Sequence, residues 1–144
     1  MFTKIMVPVD GSENSYQALK YGAEIAKRFD AKLTILHVIP LTPRTIGITN
    51  SASITLVESL IRELHNEGEG FLAKAKEIAK PYGIECAFEI TSGAPAQEIL
   101  DRATADYDLI VIGSRGMGGV KGLILGSVSD RVSHAAKQPV LIVH

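Results

Sequence analysis

Between Asp108 and Asp130 the chain reads DLIVIGSRGMGGVKGLILGSVSD, and few folds can accommodate such a stretch. Leu109 to Ile112 is short, apolar and β-branched, the pattern of a strand buried on both faces in a parallel sheet. Glycines follow at 113, 116, 118, 119, 122 and 126. Ser127 is a suitable helix N-cap, and Val128, Val132, Ala135 and Ala136 then fall on one helix face. Strand, glycine loop and helix in that order bring bare backbone N–H groups and the positive end of a helix dipole to one point. That point suits an anion such as phosphate.

The rest of the chain repeats the alternation. Thr3 to Val9 is an apolar strand bounded by Asp10-Gly11, and Ser12 or Asn14 can cap the helix that follows. Ala18, Gly22, Ile25, Ala26 and Phe29 form the inner stripe of that helix. Lys32 to Val38 reads as a second strand, followed by Pro40. Residues 40 to 55 carry no helical stripe and are expected to form a long loop, either structurally indifferent or a lid or interface. A helix is expected over 56 to 81, with Val57, Ile61, Leu64, Gly68, Phe71, Ala75 and Ile78 inward. Gly68 and Gly70 weaken its middle and could bend or break it. Ile84 to Ile90 suits an edge strand, since Glu85 and Glu89 interrupt its apolar residues. Thr91-Ser92-Gly93 reads as a turn, and Pro95 as the first turn of a short helix holding Ile99, Leu100 and Ala103. A last apolar strand, Val140 to Val143, precedes His144. The order β-α-β-α-β-α-β-α-β implies one parallel sheet with helices on both faces, and a single domain over residues 1–144.

Composition narrows the function classes. The chain has 144 residues, 46% hydrophobic and 22% charged, with a net charge of −1. That balance offers no general attraction for nucleic acid or for an anionic membrane, and neither partner is expected. No apolar run approaches the roughly 18 residues of a membrane helix, and the first residues do not resemble a signal peptide. Cys86 is the one cysteine. An unpaired, buried or half-buried thiol fits a reducing compartment, so cytoplasm is the expected location.

The spacing within the glycine loop separates phosphate-binding motifs from one another. A Walker A loop needs Gly-Lys-Ser/Thr, whereas Lys121 is followed by Gly122. A dinucleotide fingerprint counted from Gly116 would need glycine at Lys121, and belongs after the first strand. Gly113, two residues, Gly116, nine residues, then Gly126-Ser127 resembles the G-x2-G-x9-G-[ST] signature of the ATP-binding universal stress proteins. The resemblance extends along the chain: Ile5 to Ser12 is similar to that family's opening strand, and His37-Val38 to the end of its second strand. Gly93 to Ala96 resembles the start of its third helix, and Pro139 to Val143 its closing strand. The resemblance implies a doubly wound, Rossmann-like α/β fold: a five-stranded parallel sheet of order 3-2-1-4-5.

A nucleotide site needs a slot for the base, an acceptor for the ribose and donors for phosphate. If the first and fourth strands are neighbours, Pro8, Val9 and Asp10 lie beside the fourth-strand loop at the switch point of the sheet. By resemblance, Asp10 lies near the ribose or its metal, the latter through water, and the backbone at Val38 reads adenine. The plainer alternative for Asp10 is a turn former or helix cap beside Gly11. By the same resemblance Gly113, Arg115, Gly116, Gly126, Ser127, Val128 and Ser129 line the phosphates, mostly through N–H groups, with hydroxyls from Ser127 and Ser129. Gly116 and Gly126 would be needed because a Cβ obstructs phosphate or forbids positive φ. Arg115 and Lys121 add charge or are simply solvated loop cations. The implied cofactor is ATP with Mg²⁺ or Mn²⁺, and the implied assembly a homodimer through Val140 to Val143.

Catalytic residues are not evident. Ser12, Ser15, Ser127 and Ser129 have no placed base, and His37, His65, His134 and His144 lack metal-ligand spacing. These histidines read as structural or solvated, and the chain as at most a slow ATPase. A receiver domain would need an acidic cluster after the first strand. An adenylating α-hydrolase-type enzyme would need Ser-Gly-Gly-x-Asp-Ser there, where this chain has Asp10-Gly11-Ser12-Glu13-Asn14-Ser15. The remaining rival to a small regulatory ATP-binding module is a dimeric interaction module whose nucleotide loop is vestigial.

Overall fold

The structure, a computed structural model, describes residues 1–42, 45, 54–118, 122 and 124–144. Most of the expected 40–55 loop, together with Gly119 and Lys121, lies outside them. In chain order the elements are β1 (Lys4–Pro8), α1 (Glu13–Phe29), β2 (Lys32–Pro40), α2 (Ile54–Ala79) and a 3-10 turn (Lys80–Tyr82). Then come β3 (Cys86–Gly93), α3 (Pro95–Asp106), β4 (Leu109–Gly113), α4 (Ser127–Ala135) and β5 (Val140–Val143).

The strands form one parallel sheet of order β3-β2-β1-β4-β5, the topology the sequence implies. The chain begins in the middle, builds outward through β2 and β3, then crosses back to lay β4 and β5 on the other side of β1. Strand alternation divides the core between two layers. Ile5, Val7, Leu33, Ile35 and Val111 pack on one face against Leu19, Ala23, Leu72 and Ala75. Met6, Leu36, Val38, Ile110 and Ile112 pack on the other against Ile99, Ala103 and Val132. The central strands are buried on both sides, which is why they read as apolar runs rather than alternating ones.

Several local expectations are corrected. The Thr91-Ser92-Gly93 turn is the end of β3, because β2 runs on to Pro40 and offers partners as far as Gly93. Phe29 is 44% exposed and turns its ring to Phe2 instead of the inner stripe. In α2 the buried line is Gly68, Leu72, Ala75 and Ala79, one residue round from part of the expected stripe, and Ile61 is 41% exposed. Nor do the two glycines break α2. Gly68 lies against β2, where a Cβ would stand 2.6 Å from His37 Cδ2; Gly70 has nothing within 4 Å of a Cβ. Ser127 is the first residue of α4 and not its cap: Gly126 holds that place, its carbonyl accepting from Asp130 N at 2.9 Å. Among the described residues, no helix is long and apolar enough to cross a membrane.

The two helix glycines should therefore respond in opposite directions. Gly70→Ala should raise the unfolding free energy by about 0.5–1 kcal/mol, the helix-propensity difference in an open position. Gly68→Ala should lower it by about 1–3 kcal/mol, since the methyl overpacks a buried imidazole. Urea denaturation of the pair checks both signs.

Candidate functional site

The parting of the crossover connections on either side of β1 and β4 leaves a cleft at the carboxyl ends of the strands. Three short segments converge there: the turn after β1, the end of β2, and the loop from β4 to α4. In the first, Gly11 has φ +86°, a left-handed conformation suited to glycine, which turns the chain sharply into α1. Asp10 Oδ1 accepts from Ser12 N at 3.0 Å and from Ser12 Oγ, and Ser12 Oγ accepts from Ser15 N at 3.2 Å as the cap of α1. The turn-forming alternative for Asp10 is thus realised. Its second oxygen, Oδ2, accepts from Met117 N at 3.3 Å and ties this turn to the glycine loop.

The glycine loop is anchored by backbone. Ser114 is fully buried; its N–H donates to Val143 O, its carbonyl accepts from Gly126 N, both at 2.7 Å, and its hydroxyl accepts from Asn14 Nδ2 at 3.0 Å. Gly113 packs so closely on the first turn of α1 that a Cβ would lie 2.7 Å from the Asn14 carbonyl carbon. At Gly116 a Cβ would meet Asp10 Oδ2 at 2.5 Å. Neither Gly116 nor Gly126 has positive φ, so that half of the expectation for them is corrected: at 116 the requirement is space. Ser129 is buried and its hydroxyl donates to Gly113 O, leaving Ser127 as the free-standing hydroxyl of the expected pair. The first N–H groups of α4 have no intrahelical acceptor, as at any helix start.

At the end of β2, His37 is 5% exposed and donates from Nδ1 to Val9 O at 2.8 Å, which fixes the tautomer. Phe71 of α2 meets its imidazole edge to face at 5.3 Å. Tyr16, buried on α1 near this turn, has its phenol pKa raised by burial and secondarily by the negative charges of Asp10 and Glu13.

All these segments face one cavity of about 580 Å³. Its lining includes every residue singled out from sequence: Pro8, Val9, Asp10, Val38, Gly113, Arg115, Gly116, Gly126, Ser127, Val128 and Ser129. It also includes residues that sequence reasoning assigned to the core or left aside, namely His37, Leu64, Glu67 and Phe71 from β2 and α2, and Pro95 and Ile99 from α3. Leu64, Phe71, Pro95 and Ile99 give an apolar wall where β2, α2 and α3 meet, with His37 and Glu67 among them, and Arg115, Ser127 and backbone line the side of the glycine loop and the start of α4. Among the described residues there is no group of three or more His, Cys, Asp or Glu that could hold a metal.

A model of the universal stress protein family matches residues 1–144. The chain belongs to the universal stress protein family. It is 41% identical over 151 residues to universal stress protein YxiE of Bacillus subtilis, covering 99% of both chains. The solved structure of protein MJ0577 of Methanocaldococcus jannaschii superposes with a TM-score of 0.82 at 30% identity, over 99% of this chain and 96% of that one. A universal stress protein in complex with cAMP superposes with a TM-score of 0.70 at 28% identity, over 99% and 97%. The universal stress fold is thus established on both sequence and structure.

The loop glycines should separate by their surroundings. Gly113→Ala presses a methyl on helix backbone and should cost about 1–3 kcal/mol of stability. Gly118→Ala meets nothing within 4 Å among the described residues and should stay within about 0.5 kcal/mol of the parent protein. Denaturant midpoints of the two variants measure this.

Proposed function

We propose that this universal stress protein binds ATP, accompanied by Mg²⁺ or Mn²⁺, in the cavity at the ends of β1, β2 and β4. In this reading it serves in the cytoplasm as a nucleotide-binding regulatory module of the stress response. The observation that carries the reading is the polarity of the cavity. An apolar slot beside Val38 suits a purine, and the unpaired N–H groups at the start of α4 suit phosphates. Between them, Asp10 retains acceptor capacity on Oδ2 for ribose hydroxyls. A volume of about 580 Å³ lies within the range of small-molecule sites. The complete G-x2-G-x9-G-[ST] spacing and the similar universal stress protein in complex with cAMP support the same assignment.

Asp10 is the residue that would hold a metal accompanying the triphosphate, through water, and such a metal would neutralise phosphate charge. Hydrolysis is at most slow in this reading. Among the described residues no serine hydroxyl of the cavity is hydrogen-bonded to a histidine, and His37 Nδ1 is committed to the Val9 carbonyl. Cys86 is half-buried, and burial raises its thiol pKa, which keeps the thiol protonated and unreactive.

Saturating Mg-ATP, at ~100 times its dissociation constant, should stabilise the fold by ~2.7 kcal/mol. Thermal melts and calorimetric titration test this. A blank titration with no shift at millimolar nucleotide would leave the rival, an interaction module with a vestigial loop. Gly126→Val keeps an allowed backbone, φ at 126 being −73°, but a Cβ stands 3.3 Å from Arg115 Cα, so circular dichroism of the variant is compared with the parent before its binding is read. The folded variant should lose ATP, because the branched side chain stands where phosphate docks.

The proposed protein is a homodimer through β5. In the sheet β5 is an edge strand paired to β4 alone, with Leu141 36% exposed. Pro139 O and Val143 O accept from β4, so by the two-residue period the backbone of Val140 and Ile142 faces outward. Those groups can pair with the same strand of a second copy across a two-fold axis. Ile142→Pro removes an outward N–H without touching the β4 ladder. Light scattering at ~100 μM should give a dimer for the parent and a monomer for this variant, and a monomeric parent rejects the assembly.

A further inference from the structure

We propose that Phe71 is a positioning residue: its ring sets the turn that carries Asp10, so that α2 governs the selectivity of the site for ribose hydroxyls. The inference rests on the nucleotide reading above and adds a residue to it. Phe71 is half-buried, lines the cavity, and lies on the side of α2 next to the buried row of Gly68, Leu72 and Ala75. Its ring edge occupies the place where any other residue would carry a side chain at Gly11. A Cβ there would stand 2.4 Å from Phe71 Cε1. Gly11 therefore serves two purposes, a positive φ and room for the ring, and only the first is a property of the turn itself.

The ring and the backbone of Phe71 are each held. His37 meets it edge to face and is itself pinned to Val9 O, the residue before Asp10. Tyr16 Oη donates to Phe71 O at 3.4 Å, joining α1 to the same point of α2. Val9, Asp10 and Gly11 are thus gripped between β2 and α2, with the Phe71 ring the nearest neighbour of a side chain at the glycine. The Asp10 carboxylate takes its direction from that turn and from the glycine loop together: Oδ1 accepts from Ser12, one residue beyond Gly11, and Oδ2 from Met117 N at 3.3 Å. If the ring recedes, Gly11 regains freedom and Asp10 loses the Ser12 half of its hold, while the sheet and the glycine loop remain.

Leucine at 71 keeps an apolar contact with the core but lacks the ring atoms, Cε1 and Cζ, that reach Gly11. The experiment compares the parent, Phe71→Leu, Asp10→Ala and the double variant, with ATP and 2′,3′-dideoxy-ATP titrated into each. Hydrogen exchange at the Ser12 amide is followed in the nucleotide-free proteins. The parent should prefer ATP by roughly ten- to a hundredfold, the worth of a hydrogen bond to a charged group. Phe71→Leu and Asp10→Ala should each lose that preference while still binding the dideoxynucleotide, the double variant should lose no more, and Phe71→Leu should speed exchange at Ser12 severalfold. Equal weakening of both nucleotides in Phe71→Leu, with preference intact, would mean that the ring only packs, and overturns the inference. A parent that binds neither nucleotide overturns the nucleotide reading and the selectivity with it. The Ser12 amide then decides the positioning by itself: faster exchange in Phe71→Leu supports it, and unchanged exchange overturns it.

Discussion

The approach of β4 to the first turn of α1 is the contact on which the cleft depends. Gly113 ends β4 with no room for a side chain, its backbone against the Asn14 carbonyl. That contact fixes how far apart the loops after β1 and β4 can lie, and the two strands are neighbours in the sheet. Buried Ser114 continues the same junction, bonding to β5, to the residue before α4 and to Asn14. Backbone N–H and C=O groups buried in such a place must find partners, and here they find one another. The start of α4 is thereby hung on β4 by hydrogen bonds, with little side-chain packing required between Ser114 and Gly126.

This junction gives the cavity its chemical asymmetry. On the α2 and α3 side, the walls are the outer ends of core stripes: Leu64, Phe71 and Ile99 continue rows that pack deeper on the sheet. On the α4 side, the walls are backbone and small residues. Hydrophobic burial and backbone satisfaction meet across one opening, with Asp10 between them. Its two oxygens bond to opposite segments, Ser12 and Met117, so the same carboxylate caps a turn and joins two loops. A structural role and a place in the cavity are therefore not competing accounts of Asp10.

Much of this was legible in the sequence, for physical reasons that can be named. Runs such as Ile5 to Val9 and Leu109 to Ile112 can be little other than strands covered on both faces. Once the order of elements is known, the right-handed crossover rule restricts how they can be wound. The glycine spacing and the strand ends identified all the residues named from sequence around the cavity. What escaped was whatever depends on a distant neighbour. Thr91 to Gly93 carries turn chemistry but pairs with β2, since a long partner strand outweighs local preference. Gly68 looked like a weak point in a helix and is a contact with His37. Phe71 read as core because helical periodicity cannot tell the middle of a stripe from the end that overhangs the sheet. Ser127 was taken for the cap because serine caps well, yet Gly126 was already fixed by Ser114.

The signature glycines are not equivalent, and this bears on what the signature means. Gly113 is required by helix backbone and would be needed with no ligand at all, whereas at Gly116 a Cβ would meet only the end of the Asp10 side chain. A chain that had lost its nucleotide could keep Gly113 for folding alone. Gly126 has φ −73°, yet a Cβ there would stand 3.3 Å from Arg115 Cα and 3.5 Å from Ser114 O, so close packing on the loop backbone accounts for part of its glycine as well. The Ser127 hydroxyl has no hydrogen-bond partner among the described residues and caps nothing, although it stands at the positive end of α4. A hydroxyl that the fold leaves unused in the lining of the cavity is the part of the motif that bears on the proposed phosphate site.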